Sequence, residues 1–120
     1  MTTIFVDGST TKICVVIPET GDSFTRDAIE GAKVTSNEGE WWAVYFALEF
    51  SKLKGLKDLH LISDSQLIVN QIKGNYKVKE PRLKRLREKV WGLGLPFTVD
   101  WMPREENLAG IELERLRKEK

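Results

Sequence analysis

Residues 58–74, DLHLISDSQLIVNQIKG, contain an apolar strand, a polar turn and a helix in immediate succession. The leucines of residues 58–63 alternate with other side chains, which is the period of a strand. Ser65 can cap a helix that runs through Ile72 and ends at Gly74. A strand that leads directly into a helix is typical of α/β proteins, so this stretch predicts that class.

On the N-terminal side of this unit, the sequence predicts three strands followed by a long helix. The strands cover residues 4–8, 13–17 and 23–34, and the helix covers residues 38–53, with Ser36 or Asn37 as its N-cap. The second strand, ICVVI, is rich in β-branched residues and is closed by a proline and a turn. Short connections between successive strands predict an antiparallel meander.

On the C-terminal side, the sequence predicts a helix, a strand and a final helix. Pro81 opens the first helix, Pro96 begins a strand that runs through Met102, and a charged helix begins at about Arg104. The element order is therefore β-β-β-α-β-α-α-β-α. It predicts an α/β fold in which helices flank a five-stranded mixed sheet, with residues 1–120 forming a single domain.

Length and composition exclude several classes of protein. A chain of 120 residues with 41% hydrophobic and 31% charged residues is ordinary for one globular domain. No apolar run approaches the roughly 20 residues that span a bilayer, and no secretory signal is visible. The single cysteine, Cys14, and the single histidine, His60, exclude a disulfide framework and His- or Cys-based metal sites. We therefore expect a cytoplasmic monomer that does not contact membranes.

Positive charge is concentrated in one part of the chain, although the net charge is only +1. Between Lys73 and Lys89 there are eight basic residues and two acidic ones. Lys84, Arg85 and Arg87 lie on the face of the predicted helix opposite its leucines. This patch could bind phosphates; the alternative is an ordinary solvated helix face.

Three carboxylates stand where the predicted strands and helices meet. Asp7 lies on the first strand, Glu40 lies in the first turns of the long helix, and Asp64 follows an apolar strand. Converging carboxylates in an apolar setting repel one another unless a cation holds them, and hard oxygen ligands select magnesium or manganese. Each acid also has a local alternative: Asp7 could shape a turn, Glu40 could stabilise a helix N-terminus, and Asp64 could assist the Ser65 cap.

Four segments, taken together, resemble type 1 ribonucleases H over nearly the whole chain. They are FVDGS at 5–9, TSNEGE at 35–40, SDSQLIVNQIKG at 63–74 and WMPREEN at 101–107. The short segment between Gly74 and Pro81 is similar to that of the compact branch, which lacks a basic protrusion. One departure concerns the fourth acid of the family, whose position is occupied here by Ile111.

The resemblance implies a ribonuclease H-like fold and a magnesium-dependent endonuclease that cuts the RNA strand of an RNA–DNA hybrid by a two-metal mechanism, with manganese as a possible substitute. It implies that Asp7 bridges the metals and that Glu40 and Asp64 bind one each. RNA 2′-hydroxyls would be contacted by Gly8, Ser9 and Gln66, in addition to Glu40. A DNA phosphate would be held at the helix start by Thr35, Ser36 and Asn37.

The missing fourth acid leaves the last metal ligand open. Asn107 lies one helical turn before Ile111 and offers a neutral, hard amide oxygen, so it is the first candidate. Glu114, one turn beyond Ile111, is the second candidate, and Asn107 could instead simply cap the last helix. Two other functions stay open as well. One is a catalytically weak or silent module that binds hybrids or duplexes, and the other is a related nuclease acting on DNA or double-stranded RNA.

Overall fold

A computed structural model describes residues 1–118, and the last two residues of the predicted domain, 119 and 120, lie outside the described residues. The strands are β1 (Thr2–Gly8), β2 (Lys12–Ile17), β3 (Asp22–Asp27), β4 (Leu59–Ser63) and β5 (Phe97–Trp101). The helices are α1 (Ser36–Lys54), α2 (Gln66–Lys73), α3 (Pro81–Gly92) and α4 (Leu108–Lys118). A single 3-10 turn, Arg104–Glu106, precedes α4. The predicted order of strands and α-helices is therefore confirmed.

The five strands form one mixed sheet in the order β3-β2-β1-β4-β5. The first three strands pair antiparallel, with Asp7 opposite Cys14 and Cys14 opposite Thr25. Strands β1, β4 and β5 run parallel, with Phe5 opposite Ile62. The carboxyl ends of these three strands therefore meet at the same edge of the sheet, which is where α/β folds place ligand sites.

Alternating side chains of the central strands bury both faces of the sheet. Ile4 and Val6 of β1 pack in the large core beneath α1, α2 and α3, whereas Phe5 packs in a smaller cluster beneath α4. Because side chains alternate along a strand, Asp7 shares the face of Phe5 and points to the α4 side. Within residues 1–118, no helix is both long and apolar enough to cross a membrane.

The N-cap of α1 lies one residue before the first of its two predicted positions. Thr35, not Ser36 or Asn37, is the N-cap of α1. Its hydroxyl accepts a hydrogen bond from the Glu38 backbone N–H at 3.1 Å, and the Glu38 carboxylate accepts one from the Thr35 N–H at 3.0 Å. This reciprocal capping box satisfies two helix donors at once, which neither Ser36 nor Asn37 could achieve with Glu38. By contrast, the cap predicted at Ser65 for α2 is confirmed.

Two other predicted boundaries were wrong. The third strand ends at Asp27 instead of continuing to residue 34, because a turn at residues 29–32 places Gly31 at a φ of 74°. The last helix begins at Leu108, not at about Arg104. The backbone of Asn107 is extended, with φ −87° and ψ 105°, so it separates the 3-10 turn from α4.

Candidate active site

The three predicted acids converge at the carboxyl edge of the sheet. Asp7 lies near the end of β1, Asp64 directly follows β4, and Glu40 lies in the first turns of α1. One carboxylate oxygen of each residue lies within 4.8 Å of those of the other two. The parallel pairing of β1 with β4 brings Asp7 and Asp64 together, and the start of α1 adds Glu40. A cation could therefore contact all three side chains at once.

Two glycines allow the start of α1 to approach the end of β1. A Cβ atom on Gly8 would lie 2.0 Å from the carbonyl oxygen of Gly39, and one on Gly39 would lie 1.9 Å from that of Ser9. No real Cβ tolerates such distances, so both positions need glycine for close backbone approach. The Gly8 N–H then donates a 2.7 Å hydrogen bond to Glu40 Oε1. This backbone contact fixes Glu40 beside the strand that carries Asp7.

The cluster favours protonated carboxyl groups when no metal is bound. Burial, with a smaller contribution from Asp64, raises the pKa of Asp7 to about 6. Burial, followed by the charges of Asp7 and Asp64, raises the pKa of Glu40 to about 9. A protonated Glu40 can donate a hydrogen bond to Asp7. These shifts are those expected where three carboxylates are held together with too little positive charge.

Arg104 supplies part of the missing positive charge. Its Nη1 atom lies 3.3 Å from Asp7 Oδ2 and 3.3 Å from Asp64 Oδ2, and its Nη2 atom lies 3.4 Å from Asp7 Oδ2. The guanidinium lowers the pKa of Asp7 against the effect of burial. Sequence reasoning missed this role of Arg104, although a buried acidic cluster requires a cation nearby. The side chain is half exposed and can leave the carboxylates without breaking the core.

Two further hydrogen bonds from the C-terminal segment hold Asp64. The Trp101 indole N–H donates to the Asp64 backbone carbonyl at 3.0 Å, and Asn107 Nδ2 donates to Asp64 Oδ2 at 3.2 Å. Asn107 is fully buried, and its Nδ2 also donates to the Val6 carbonyl at 3.0 Å. Its amide oxygen accepts from the Ala109 N–H at 3.1 Å. Asn107 therefore orients Asp64 and caps α4, and the oxygen that a metal ligand would need faces the helix.

The residues predicted to contact RNA lie around the cluster. The Gly8 N–H is engaged with Glu40, while the Ser9 hydroxyl accepts from Lys12 N–H at 3.0 Å and stabilises the β1–β2 turn. Gln66 is exposed at the first position of α2, two residues after Asp64. All three lie at the same edge of the sheet as the acids, and their contacts with RNA stay predictions.

The residues predicted to bind a DNA phosphate border a groove between two helix starts. Thr35, Ser36 and Asn37 are all exposed, although the Thr35 hydroxyl is engaged in capping α1. A cavity of about 300 Å³ is lined by Thr35, Asn37, Glu38, Glu80, Arg82 and Leu83. Arg82 lies 3.8 Å from the buried Glu38 carboxylate and faces this groove. Sequence reasoning did not single out Arg82, because it is one of many cations in the basic run.

The basic helix α3 packs beside α1 through its leucines. Leu83, Leu86 and Val90 are buried, as the spacing predicted. Lys84 and Arg85 are exposed and Arg87 is half-buried on the other side of the helix. Among residues 1–118, none of these three cations is found in an ion pair, so they are available to phosphates.

The sequence of this chain is similar to those of known proteins. The sequence model of the family described as "Reverse transcriptase-like" matches residues 7–113. A protein named Ribonuclease HI from Halobacterium salinarum is 32% identical over 96 residues, which cover 77% of this chain and 44% of that protein. The chain thus spans less than half the length of the curated relatives it matches.

Solved structures are similar over almost the entire chain. LC11-RNase H1, crystallised in complex with an RNA/DNA hybrid, is 30% identical with a TM-score of 0.82, and the match covers 94% of this chain and 93% of that one. RNase H1 from the halophilic archaeon Halobacterium salinarum is 25% identical with a TM-score of 0.79, and the match covers 98% of each chain. The similarity therefore includes all five strands and the edge where the three acids converge.

Proposed function

The chain belongs to the type 1 ribonuclease H family, and from that premise we propose that it is a metal-dependent ribonuclease H that hydrolyses the RNA strand of RNA–DNA hybrids. The observation that carries this proposal is the convergence of Asp7, Glu40 and Asp64 within 4.8 Å. A binding module gains nothing from clustered acids beside phosphates, because their charges repel the nucleic-acid backbone. An enzyme that holds cations there does gain, because the same acids then bring positive charge to the phosphate.

The donor set fits a pair of hard divalent cations. Among Asp7, Glu40 and Asp64 all potential ligand atoms are carboxylate oxygens, which magnesium prefers and manganese accepts. The raised pKa values of Asp7 and Glu40 reflect a lack of positive charge that such cations would supply. Two cations about 4 Å apart would activate a water and stabilise the leaving 3′-oxygen of an in-line displacement.

Each residue of the cluster has a distinct role in the proposal. Asp7 would be shared by both metals, and Glu40 and Asp64 would each hold one of them. Arg104 neutralises part of the charge of Asp7 and Asp64, and with metals bound there its guanidinium would be free to turn toward the substrate phosphate. Asn107, predicted as a fourth ligand, acts first by holding Asp64 in place.

Substrate recognition is proposed to divide between the two strands of the hybrid. Gly8, Ser9 and Gln66 contact 2′-hydroxyls of the RNA, the groups that distinguish RNA from DNA. Phosphates of the DNA strand are contacted by Thr35, Ser36 and Asn37 at the start of α1, and by Lys84, Arg85 and Arg87 of α3.

The same proposal covers the state of the chain in the cell. Residues 1–120 act as a single domain and as a monomer. The buried Cys14 thiol is free in the structure, which suits the reducing cytoplasm.

One assay tests the proposed activity. End-labelled RNA–DNA hybrid, RNA duplex and DNA duplex are incubated separately with the chain and magnesium or manganese. We expect cleavage of the RNA strand of the hybrid, with loss of activity on chelation and in Asp7→Asn. Failure to cleave any of the substrates with either metal would overturn the enzyme proposal.

A second candidate is the silent binding module, and the isoleucine at the family's fourth acidic position favours it. That function predicts hybrid binding in a gel-shift assay without cleavage in either metal. It also predicts that Asp7→Asn binds hybrid more tightly, because a negative charge beside the backbone is lost. The two functions therefore differ in both assays.

A further inference from the structure

The helix α4 presents Gly110, not Ile111, to the acidic cluster. A Cβ atom on Gly110 would lie 3.0 Å from Asp64 Oδ2, 3.2 Å from Arg104 Nη1 and 3.6 Å from Asp7 Oδ2. Ile111 is 46% exposed. Glycine inside a helix is destabilising relative to alanine, and here it keeps open the space between the helix and the carboxylates. The face of α4 that meets the cluster is therefore centred on residue 110.

Helix geometry places one acidic residue of α4 on this face. At about 100° per residue, Glu114 is rotated by about 40° from Gly110, Ile111 by about 100° and Glu112 by about 160°. Glu114 also lies about 6 Å farther along the helix axis, at 1.5 Å per residue. Helical side chains point back toward the N-terminus and cover the preceding turn. In a rotamer that follows this direction, the Glu114 carboxylate reaches the turn of Gly110, where the nearest side-chain atoms are those of Asp64 and Arg104.

Glu114 lines a cavity that reaches the acidic cluster. A cavity of about 370 Å³ lies between α4 and the sheet and is lined by Asp7, Arg104 and Glu114, among others. An adjoining cavity is lined by Arg104, Gly110 and Glu114. Glu114 therefore shares one space with Asp7 and with the guanidinium that bridges the acids.

The present partner of Glu114 holds it only loosely. Glu114 Oε2 lies 3.8 Å from Arg117 Nη1, and both side chains are well exposed. Exposed pairs of this kind contribute little to stability, so a cation can readily replace Arg117. Asn107, the other candidate, has its amide oxygen on the Ala109 N–H and its amide nitrogen on Asp64.

We infer that Glu114, reaching over Gly110, supplies the fourth carboxylate of the metal site, in place of the acid that Ile111 has replaced. The inference rests on the proposed function, because it adds a ligand to the metal site formed by Asp7, Glu40 and Asp64. The same inference explains why an isoleucine stands at position 111 and a glycine at position 110. The metal ligand comes from the next helical turn, and the glycine leaves room for its side chain.

Calorimetric titration of the metal-free chain with Mn²⁺, without nucleic acid, tests this inference. We expect Glu114→Gln to weaken the binding of one Mn²⁺ by at least about tenfold, since losing even an outer-shell partner of a metal costs that much. Glu112→Gln is the matched control, because it removes the same charge from the opposite side of the same helix. It should bind Mn²⁺ as the unaltered chain does. Circular dichroism checks that both variants fold.

A rescue variant separates ligation from a general charge effect. Ile111→Asp, introduced into Glu114→Gln, restores a carboxylate at the position resembling the family's and should recover most of the lost Mn²⁺ affinity. Equal Mn²⁺ binding by Glu114→Gln and the unaltered chain would overturn the inference. It would leave the proposed function standing if the unaltered chain cleaves hybrid. If the unaltered chain neither binds Mn²⁺ nor cleaves hybrid, the proposed function fails first.

Discussion

At the scale of single residues, Asp7 is the carboxylate that lies next to every other charged side chain of the site. It is 2% exposed, it lies within reach of Glu40 and Asp64, and it accepts from both terminal nitrogens of Arg104. A buried carboxylate in this setting has no solvent to offset its neighbours. Its charge is therefore available to a metal, and its loss should affect chemistry more than folding.

The substitution Asp7→Asn tests this view. It removes a charge at nearly constant volume, so we expect the chain to fold and to bind hybrid while cleavage falls by about a hundredfold or more, the upper end of what perturbing a metal site costs. Cleavage rates with Mg²⁺, together with circular dichroism and gel shifts, provide the measurement. An Asp7→Asn variant that retains most of its activity would contradict the two-metal assignment.

Removal of the Asn107 side chain should affect both stability and activity. Asn107→Ala leaves the Val6 carbonyl and the Ala109 N–H without their partners and frees Asp64. We expect a loss on the order of 2 kcal/mol in the free energy of unfolding, from the cap and the buried hydrogen bond together. Urea unfolding measures it, and Asn75→Ala, at an exposed amide, is the control. A fully stable and active Asn107→Ala variant would show that Asp64 needs no such support.

At the scale of secondary-structure elements, the sequence predicted the start and end of a helix correctly where a capping residue or a helix breaker lies at that boundary. Helix α2 begins after Ser65 and ends before Gly74 as predicted, because both signals act within one turn. The end of β3 could not be predicted, since it depends on a turn at residues 29–32. The residues on either side of this turn, Ala28 and Val34, donate hydrogen bonds to carbonyls of the β1–β2 connection. The start of α4 was also missed, because Asn107 is held in an extended conformation by contacts with distant strands.

Helix α3 is the element whose function is most directly testable. Replacement of Lys84, Arg85 and Arg87 by glutamine should raise the Michaelis constant more than it lowers the turnover number. The log–log salt slope of hybrid binding should fall by about 0.7 to 0.9 for each phosphate that the chain no longer neutralises. Lys54→Gln with Lys57→Gln, at and just beyond the C-terminal end of α1, is the control and should leave the slope unchanged. An unchanged salt slope in the α3 variant would mean that this face of the helix is solvated and does not contact phosphates.

At the scale of the whole molecule, the site is assembled from segments far apart in sequence. The convergence of the three acids could be predicted, because Asp7 and Asp64 lie at the carboxyl ends of two strands and Glu40 lies in the first turns of a helix. The place of Arg104 could not be predicted, since its contact with Asp7 spans 97 residues and depends on the course of the chain after β5. The sequence did not indicate a role for Gly110, because the need for a glycine there becomes visible only when the neighbouring side chains of Asp64 and Arg104 are located.

The stability of the metal-free chain should depend on pH through the same cluster. The folded-state pKa values of Asp7, about 6, and Glu40, about 9, lie above their ordinary values, so the folded chain holds protons more tightly than the unfolded one. This stabilisation is complete below about pH 4 and is lost as pH rises through 6 and toward 9. Urea unfolding in a chelator should therefore show a free energy of unfolding that declines from about pH 5 to about pH 9.

The control for this dependence is Glu40→Gln. Its neutral amide cannot ionise, so the decline between about pH 7 and about pH 9 should largely disappear. An equally steep decline in Glu40→Gln would mean that the pH dependence arises outside the acidic cluster.

The hydrogen bond between Asn107 and Val6, across 101 positions of the chain, has a consequence for the order of events during synthesis. A ribosome releases the strand that carries Asp7 long before it has made the segment that orients Asp64. Until that segment emerges, the nascent polypeptide holds three acids without the arginine and the asparagine that organise them. The proposed nuclease activity should therefore begin only once the segment that carries Arg104 and Asn107 has emerged, and nascent chains that still lack this segment should not cut nucleic acid close to the ribosome.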